Sequence, residues 1–133
     1  MLLENRGSII IRRMELIAAV DRGDILEVRK LLSEGCNINA VDNNGNTPLH
    51  KAAFNGNIDI VQYLVDEGCD INAVRRDGNT PLHYAAKSGN IDIVQCLVDE
   101  RCDINAVGRD GNTPLHIAAW NGNIDIVQYL VDD

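Results

Sequence analysis

Between residues 58 and 65 the apolar residues Ile58, Val61, Leu64 and Val65 fall three and four apart, a spacing that lines one face of an α-helix, with Asp59, Gln62 and Asp66 on the other faces. Upstream, Thr47-Pro48-Leu49 reads as a helix start. A Thr hydroxyl at the N-cap can accept an orphan backbone N–H, and Pro at the first helical position has none to lose. The pattern predicts a short helix from Pro48 to about Asn55, a left-handed Gly56 after it, Asn57 capping a second helix, and Gly68 ending that helix. Asp70 to Asp77 has no helical pattern. It closes on Asp77-Gly78, a tight-turn signal, as do Asn44-Gly45 and Asp110-Gly111 elsewhere.

The whole pattern recurs. Gly45-Asn46-Thr47-Pro48-Leu49-His50 returns at Gly78 to His83 and at Gly111 to His116, a period of 33 residues, and segments 42–74 and 75–107 share 25 of 33 residues. A period of that length means an array of stacked units and not one globule. Extended backwards, the register places Leu16 under Leu49, Ala19 under Ala52, Gly23 under Gly56 and Gly35-Cys36 under Gly68-Cys69. The expected organisation is a leader at 1–8, a diverged N-terminal capping repeat at 9–41, repeats at 42–74 and 75–107, and a last repeat at 108–133 that stops inside its second helix. One unit cannot cover its own apolar face, so Leu49, Ala52, Val61 and their copies must stack on one another to make a core. The pairs Ala52-Ala53, Ala85-Ala86 and Ala118-Ala119 let neighbouring helices approach closely.

The run Gly-Asn-Thr-Pro-Leu-His-x-Ala-Ala-x-x-Gly-Asn-Ile-Asp-Ile-Val resembles the ankyrin repeat, and the resemblance covers residues 9 to 133. It implies an all-α solenoid of helix-turn-helix units linked by β-hairpin loops, with hairpin tips and first helices lining a concave face that binds proteins. The first repeat departs from the pattern. It has Met14-Glu15-Leu16-Ile17 in place of Thr-Pro-Leu-His, and Asp21, Arg22, Glu27, Arg29 and Lys30 on its helices, as expected of an N-terminal cap. The last repeat keeps Ile126, Tyr129 and Val131 as internal repeats have them, which reads as a truncated array or an engineered chain.

The chemistry left to explain is small. His50, His83 and His116 sit at one place in successive repeats, roughly 10 Å apart for packed helices, whereas metal ligands lie about 2 Å from their ion. They cannot converge on one metal. In the family, the equivalent imidazole bonds between neighbouring loops, and that structural role is expected here. Cys36, Cys69 and Cys102 recur at the same spacing, too far apart for disulfides, which need Cα atoms within about 7 Å. They read as small packing residues in a reducing compartment. Cys96, which replaces Tyr63 and Tyr129, is either a reactive thiol or a substitution within a packed helix. Asn39, Asn72 and Asn105 match the hairpin asparagine hydroxylated in some ankyrin repeats; the alternative is a loop hydrogen-bonder. No Walker-type loop, His-Glu-x-x-His or Cys-x-x-Cys occurs, and no cofactor or enzyme activity is expected.

Where the near-identical repeats disagree is informative. One cluster is the tip: Asp42-Asn43-Asn44, Arg75-Arg76-Asp77 and Gly108-Arg109-Asp110. The other is the first helix: Lys51, Phe54 and Asn55 become Tyr84, Lys87 and Ser88, then Ile117, Trp120 and Asn121. In the family's geometry both clusters face the groove. Free drift of exposed positions is the alternative, yet Asp59, Gln62 and Asp66 recur unchanged at Asp92, Gln95, Asp99 and at Asp125, Gln128, Asp132. The groove is therefore expected to be locally basic through Lys51, Arg75, Arg76, Lys87 and Arg109, with Phe54, Tyr84 and Trp120 as exposed anchors.

Composition narrows the partner. The 133-residue chain carries a net charge of -8, with 45% hydrophobic and only 4% aromatic residues. That balance disfavours nucleic acid, whose binding is driven by Lys and Arg displacing counterions. The run Ile9-Ile10-Ile11 before Arg12 is too short for a membrane span or a signal peptide. The expected partner is a protein segment carrying apolar and acidic residues, met in the cytoplasm or nucleus. A second reading is a self-associating array whose end near Ile126 and Tyr129 packs on another copy. A third, remote one is a regulatory part of a larger enzyme. Arg101, standing where Gly68 ends the equivalent helix, is expected to be strained.

Overall fold

The computed structural model describes residues 6–132. Among them lie eight helices in four antiparallel pairs: α1 (Arg6–Arg22) with α2 (Ile25–Ser33), α3 (Pro48–Asn55) with α4 (Ile58–Asp66), α5 (Pro81–Ser88) with α6 (Ile91–Asp99), and α7 (Pro114–Trp120) with α8 (Ile124–Asp132). The first helices pack in the order α1, α3, α5, α7, and α4, α6 and α8 follow one another behind them. The core is a repeated set: Leu16, Leu49 and Leu82 and Ala19, Ala52, Ala85 and Ala118, which periodicity picked out, and Ile60, Ile93 and Ile126, which it did not, are all shut away from solvent, whereas Ile58 and Val65 are half-buried.

The helix ends form as their residues dictate. Thr47 Oγ1 accepts the His50 N–H at 3.3 Å and Thr80 Oγ1 accepts that of His83 at 3.4 Å. Asn57 and Asn90 cap α4 and α6 by accepting the N–H of Ile60 and Ile93, each at 3.1 Å. A cap of this kind is worth about 1 kcal/mol.

Three features differ from expectation. The loops reverse the chain through hydrogen-bonded turns, such as Asp42 N–H to Asn46 C=O at 3.0 Å and Gly45 N–H to Asp42 C=O at 3.0 Å, and no strand forms among the described residues. Second, α1 begins at Arg6, across the boundary drawn at residue 8; residues 1–5 of that leader lie outside the described residues. Where other repeats have a hairpin before the first helix, this one has extra helical turns. Third, the first repeat does not present the polar outer face expected of a cap, because Ile10, Ile11, Met14 and Leu26 are all exposed.

The histidines take the role the family resemblance implied. His50 and His83 are fully buried. The Thr47 N–H donates to His50 Nδ1 at 3.1 Å, so the ring proton sits on Nε2, which lies 3.0 Å from the Asn79 carbonyl of the next repeat. His83 repeats this with Thr80 at 3.0 Å and the Asn112 carbonyl at 2.9 Å. Burial holds both imidazoles below their ordinary value of 6.5, against the opposing pull of those carbonyls.

Two outcomes follow. A His whose folded pKa is depressed contributes stability that is complete above the unfolded value and is lost as pH falls below it. The urea midpoint should therefore drop between about pH 7.5 and 5.5, above the range where carboxylates titrate. An unchanged midpoint would exclude neutral buried imidazoles. The second concerns Arg101, which has φ 65°, alone among non-glycine described residues in having a positive value. Holding an L side chain there costs on the order of 1 kcal/mol, so Arg101→Gly should raise the melting temperature; a decrease would show that the arginine side chain contributes more than its backbone loses.

Candidate functional site

The variable residues do gather on one side of the stack, but the structure divides them into those that hold the scaffold and those left free. At the tips, carboxylates build the turns. Asp42 accepts the backbone N–H groups of Asn44 and Asn46, each at 2.9 Å, and the Asn46 side-chain amide at 3.0 Å. Burial pushes its carboxyl up, but these hydrogen bonds together outweigh it and hold the pKa below its ordinary value. In the next tip Asp77, two positions later in the unit, does the same work, accepting the Asn79 N–H at 3.0 Å and its side-chain amide at 3.1 Å. Successive tips are also joined through their backbones, Arg76 N–H to Asn44 C=O at 3.5 Å and Arg109 N–H to Asp77 C=O at 2.8 Å. Asn43, Asn44, Arg76, Arg109 and Asp110 remain exposed.

Several expected groove residues turn inward. Tyr84, expected as an exposed anchor, is only 9% exposed. Its ring meets those of His50 and Phe54 edge-on, with centroids 5.8 and 5.6 Å away. Arg75 folds over the same ring at 5.3 Å, donates to the Tyr84 hydroxyl, and lies 3.5 Å from the Asp77 carboxylate. It fills space and balances a charge within the protein. Lys51 reaches the Asp21 carboxylate at 3.4 Å, and the Asn55 amide donates to the same group at 3.1 Å. The Ser88 hydroxyl donates to Ala53 C=O at 3.2 Å and the Asn121 amide to Lys87 C=O at 3.2 Å, so this position stitches each first helix to the one before.

Asp21 was absent from the expected groove charges. The signal was available: in the 33-residue register Asp21 stands where Phe54, Lys87 and Trp120 stand. Its first-repeat surroundings, read only as a polar cap, concealed it.

What stays available lies toward α5 and α7. Trp120 is 74% exposed and Phe54 50%. Lys87 is exposed and Ile117 half-buried. Together with Tyr84, Asp77 and Asp110, Lys87, Ile117 and Trp120 line a concavity of about 270 Å³. Its lining mixes the apolar Ile117 and Trp120 with the Lys87 cation and the Asp77 and Asp110 carboxylates, so it can hold an apolar side chain beside a polar or charged one.

The remaining candidates are structural. Asn39 Oδ1 accepts the Asp70 N–H and Asn72 Oδ1 the Asp103 N–H, both at 2.8 Å, tying loop to loop. Asn105 is exposed. Cys102 is buried and Cys36 and Cys69 half-buried; none of them is in a disulfide among the described residues. Burial pushes Cys69 up to about 11. Cys96 is also raised by burial, with Glu100, Asp66 and Asp99 adding to the effect, and it donates to the Gln62 amide oxygen at 3.4 Å. A thiol so placed is a poor nucleophile, which favours the packing reading. Among the described residues no three or more His, Cys, Asp or Glu side chains come together as a metal site, and no helix is long and apolar enough to cross a membrane.

Helix pairs at a 33-residue period, locked by Thr caps and bridging imidazoles, define a helical repeat solenoid with an exposed first-helix side. Family profiles for ankyrin repeats match residues 67–133 in a three-copy form and 31–85 in a many-copy form, and the chain belongs to the ankyrin repeat family. It is also 42% identical over 60 residues to an ankyrin repeat protein of Fowlpox virus (strain NVSL). That match covers 44% of this chain and 43% of the relative, so the chain spans less than half of that protein's length.

The tips give a paired prediction. Gly78 and Gly111 both have φ 84°, but a Cβ on Gly78 would lie 2.9 Å from Arg109 N, whereas one on Gly111 would meet nothing within 4 Å. Gly111→Ala should cost about 1 kcal/mol for the backbone alone. Gly78→Ala should cost clearly more in the same urea titration, because backbone must move; equal losses would mean that the tips are not tightly joined.

Proposed function

We propose that the chain is a non-catalytic protein-binding module that takes a partner segment along the first-helix side, chiefly over α5 and α7. Ankyrin repeats are generally protein-protein interaction modules, and the observation that carries the finer reading is the contrast between Trp120 and Tyr84. Three aromatics occur on one side of the stack; Tyr84 is locked inside the scaffold, Phe54 packs edge-on against it, and Trp120 is 74% exposed near Lys87, which has no ion pair among the described residues. Large exposed aromatics and cations dominate interface energetics. Arg76 and Arg109 add positive charge at the tips, whereas Lys51 and Arg75 are neutralised by Asp21 and Asp77.

The fitting partner is a protein segment with an apolar side chain for the Trp120–Ile117 surface and an acidic one for Lys87 or Arg109. The six back-side aspartates from Asp59 to Asp132 make nucleic acid a poor fit for the rest of the surface. Four cysteines outside any disulfide among the described residues suit a reducing compartment, cytoplasm or nucleus.

Peptides selected from a random display library against the whole chain supply the test. Selected sequences should combine acidic and apolar residues. Trp120→Ala and Lys87→Ala should each weaken their binding about tenfold or more by calorimetry, while Asp92→Ala on the back should leave it unchanged. Peptides that bind all three variants equally would refute this placement.

A further inference from the structure

The first helices carry three rows of side chains at equivalent register positions, and the rows differ in what they leave free. Ala18, Lys51, Tyr84 and Ile117 form one row, in which Tyr84 is buried and Lys51 is held by Asp21. Arg22, Asn55, Ser88 and Asn121 form a second, whose last three members turn their polar atoms onto the preceding helix. Asp21, Phe54, Lys87 and Trp120 form the third, and all four are exposed. Phe54 and Lys87 are exposed although further first helices pack on both sides of theirs, so the exposure belongs to the position and not to the end of the array. Ile126, by contrast, expected at an end that packs on another copy, is shut in the core. Asp21 is answered by Lys51 and Asn55. What the third row leaves over is Phe54, Lys87 and Trp120, a cation between two apolar side chains.

All three stand at the C-terminal ends of their helices, whereas the tip carboxylates Asp77 and Asp110 precede the helix starts. Equivalent residues on packed neighbouring helices are roughly 10 Å apart. A ligand that meets the whole row must therefore present side chains on one face at that pitch. A β-strand does not, because residues two apart share a face at about 6.6 Å and residues three apart face opposite ways. A polyproline-II segment does, since three residues make one turn of about 9.3 Å and every third side chain returns to the same face. An α-helix repeats its face after seven residues, about 10.5 Å, but it is about 10 Å across. The concavity between α5 and α7, about 270 Å³, admits side chains and not a helix. Polyproline-II segments dock on aromatic-lined grooves, and Phe54 and Trp120 supply exposed rings here.

We infer that the partner segment crosses α3, α5 and α7 in polyproline-II form, with an acidic side chain on Lys87 and an apolar side chain three residues away on either side, one on Phe54 and one on Trp120. This rests on the reading of the first-helix side as the binding surface and sharpens it twice, by bringing in Phe54 and by giving the acidic residue to Lys87 and not to Arg109. Lys87 has no ion pair among the described residues and stands between two apolar neighbours, so an incoming carboxylate finds its counter-charge at the middle of the row. A polyproline-II backbone has no internal hydrogen bonds and stays solvated. That suits a row whose polar neighbours Asn55, Ser88 and Asn121 are already committed to the preceding helix. The pattern of apolar, acidic and apolar is symmetric, so the segment fits in either chain direction.

A random peptide library selected in parallel against the whole chain and against its Lys87→Glu and Phe54→Lys variants tests this. The parent should select an acidic residue with apolar residues three positions away on both sides. Lys87→Glu should exchange the central acidic residue for Lys or Arg and keep the apolar spacing. Phe54→Lys should turn one outer apolar residue into an acidic one, a gain that a merely loosened scaffold would not produce. In calorimetry a parent-selected peptide should bind Phe54→Ala about tenfold more weakly and Arg109→Ala as well as the parent. Peptides that need Trp120 and Lys87 but space these residues seven apart, keep no fixed spacing, ignore Phe54 or lose as much with Arg109→Ala would overturn this inference and leave the binding surface standing. Peptides that ignore Trp120 and Lys87 as well, or a selection that enriches nothing, would overturn both.

Discussion

In each of the two internal repeats one neutral imidazole joins three things that otherwise have no reason to be in register. Its Nδ1 takes the N–H of the Thr that caps its own first helix, and its Nε2 proton goes to the carbonyl of the Asn that closes the next hairpin. The ring must be neutral, since a protonated Nδ1 could not accept. It must also be buried, since water would compete for both partners. The distance from one helix start to the next loop is thereby set. With that distance fixed, the tips come close enough for Arg109 to bond Asp77 through the backbone, and Gly78 can carry no side chain. Alanines at 52, 53, 85 and 86 then have room to pack without a gap.

The proposed binding surface is what this locking leaves over. A groove cation counts toward recognition only if no carboxylate of the scaffold already holds it. Lys51 faces Asp21 and Arg75 faces Asp77, so their charges are largely answered within the protein, while Lys87 is not. The tips show the same economy. Asp42 and Asp77 stand at different positions in their units yet build the same turn on Asn46 and Asn79. Part of the variation among tips is thus two ways of closing one loop, and only side chains the turn does not use, such as those of Asn43, Arg76 and Arg109, are left for the proposed partner.

This also explains what was legible in the sequence. Helices, caps and the left-handed glycines depend on residues three or four apart, and the repeat states each of them several times. The strained Arg101 stood out for the same reason, as a departure from a pattern. Tyr84 and Lys51 differ from expectation because their fate depends on neighbours in another repeat that are not repeated, Phe54 beside Tyr84 and Asp21 beside Lys51, and Arg75 because its partners within its own repeat, Tyr84 and Asp77, have no equivalent in repeat 42–74. Periodicity predicts an average environment, and these side chains answer to particular ones. The outer face of α1 was obscured in a similar way. Ile9 to Ile11 is too short a run to signify alone, and only its placement on a helix longer than the repeat prescribes turns it into a stripe.

Stability and recognition are consequently coupled along the array. In a stack where each unit touches only its neighbours, a unit's resistance to opening comes from the faces it shares. α7 and α8 share one face with the preceding repeat, and their other face, with Ala119 and Ile124, is open; His116 is exposed where His50 and His83 are buried. Among the described residues α7 and α8 are thus held through one shared face where α3 to α6 are held through two. This last repeat also carries Trp120 and half of the concavity beside Lys87. A ligand that spans α5 and α7 adds a second shared surface to the least-held unit, so part of its binding energy goes into closing the array. Whatever covers the α8 face would prepay that cost and tighten the proposed site without touching it.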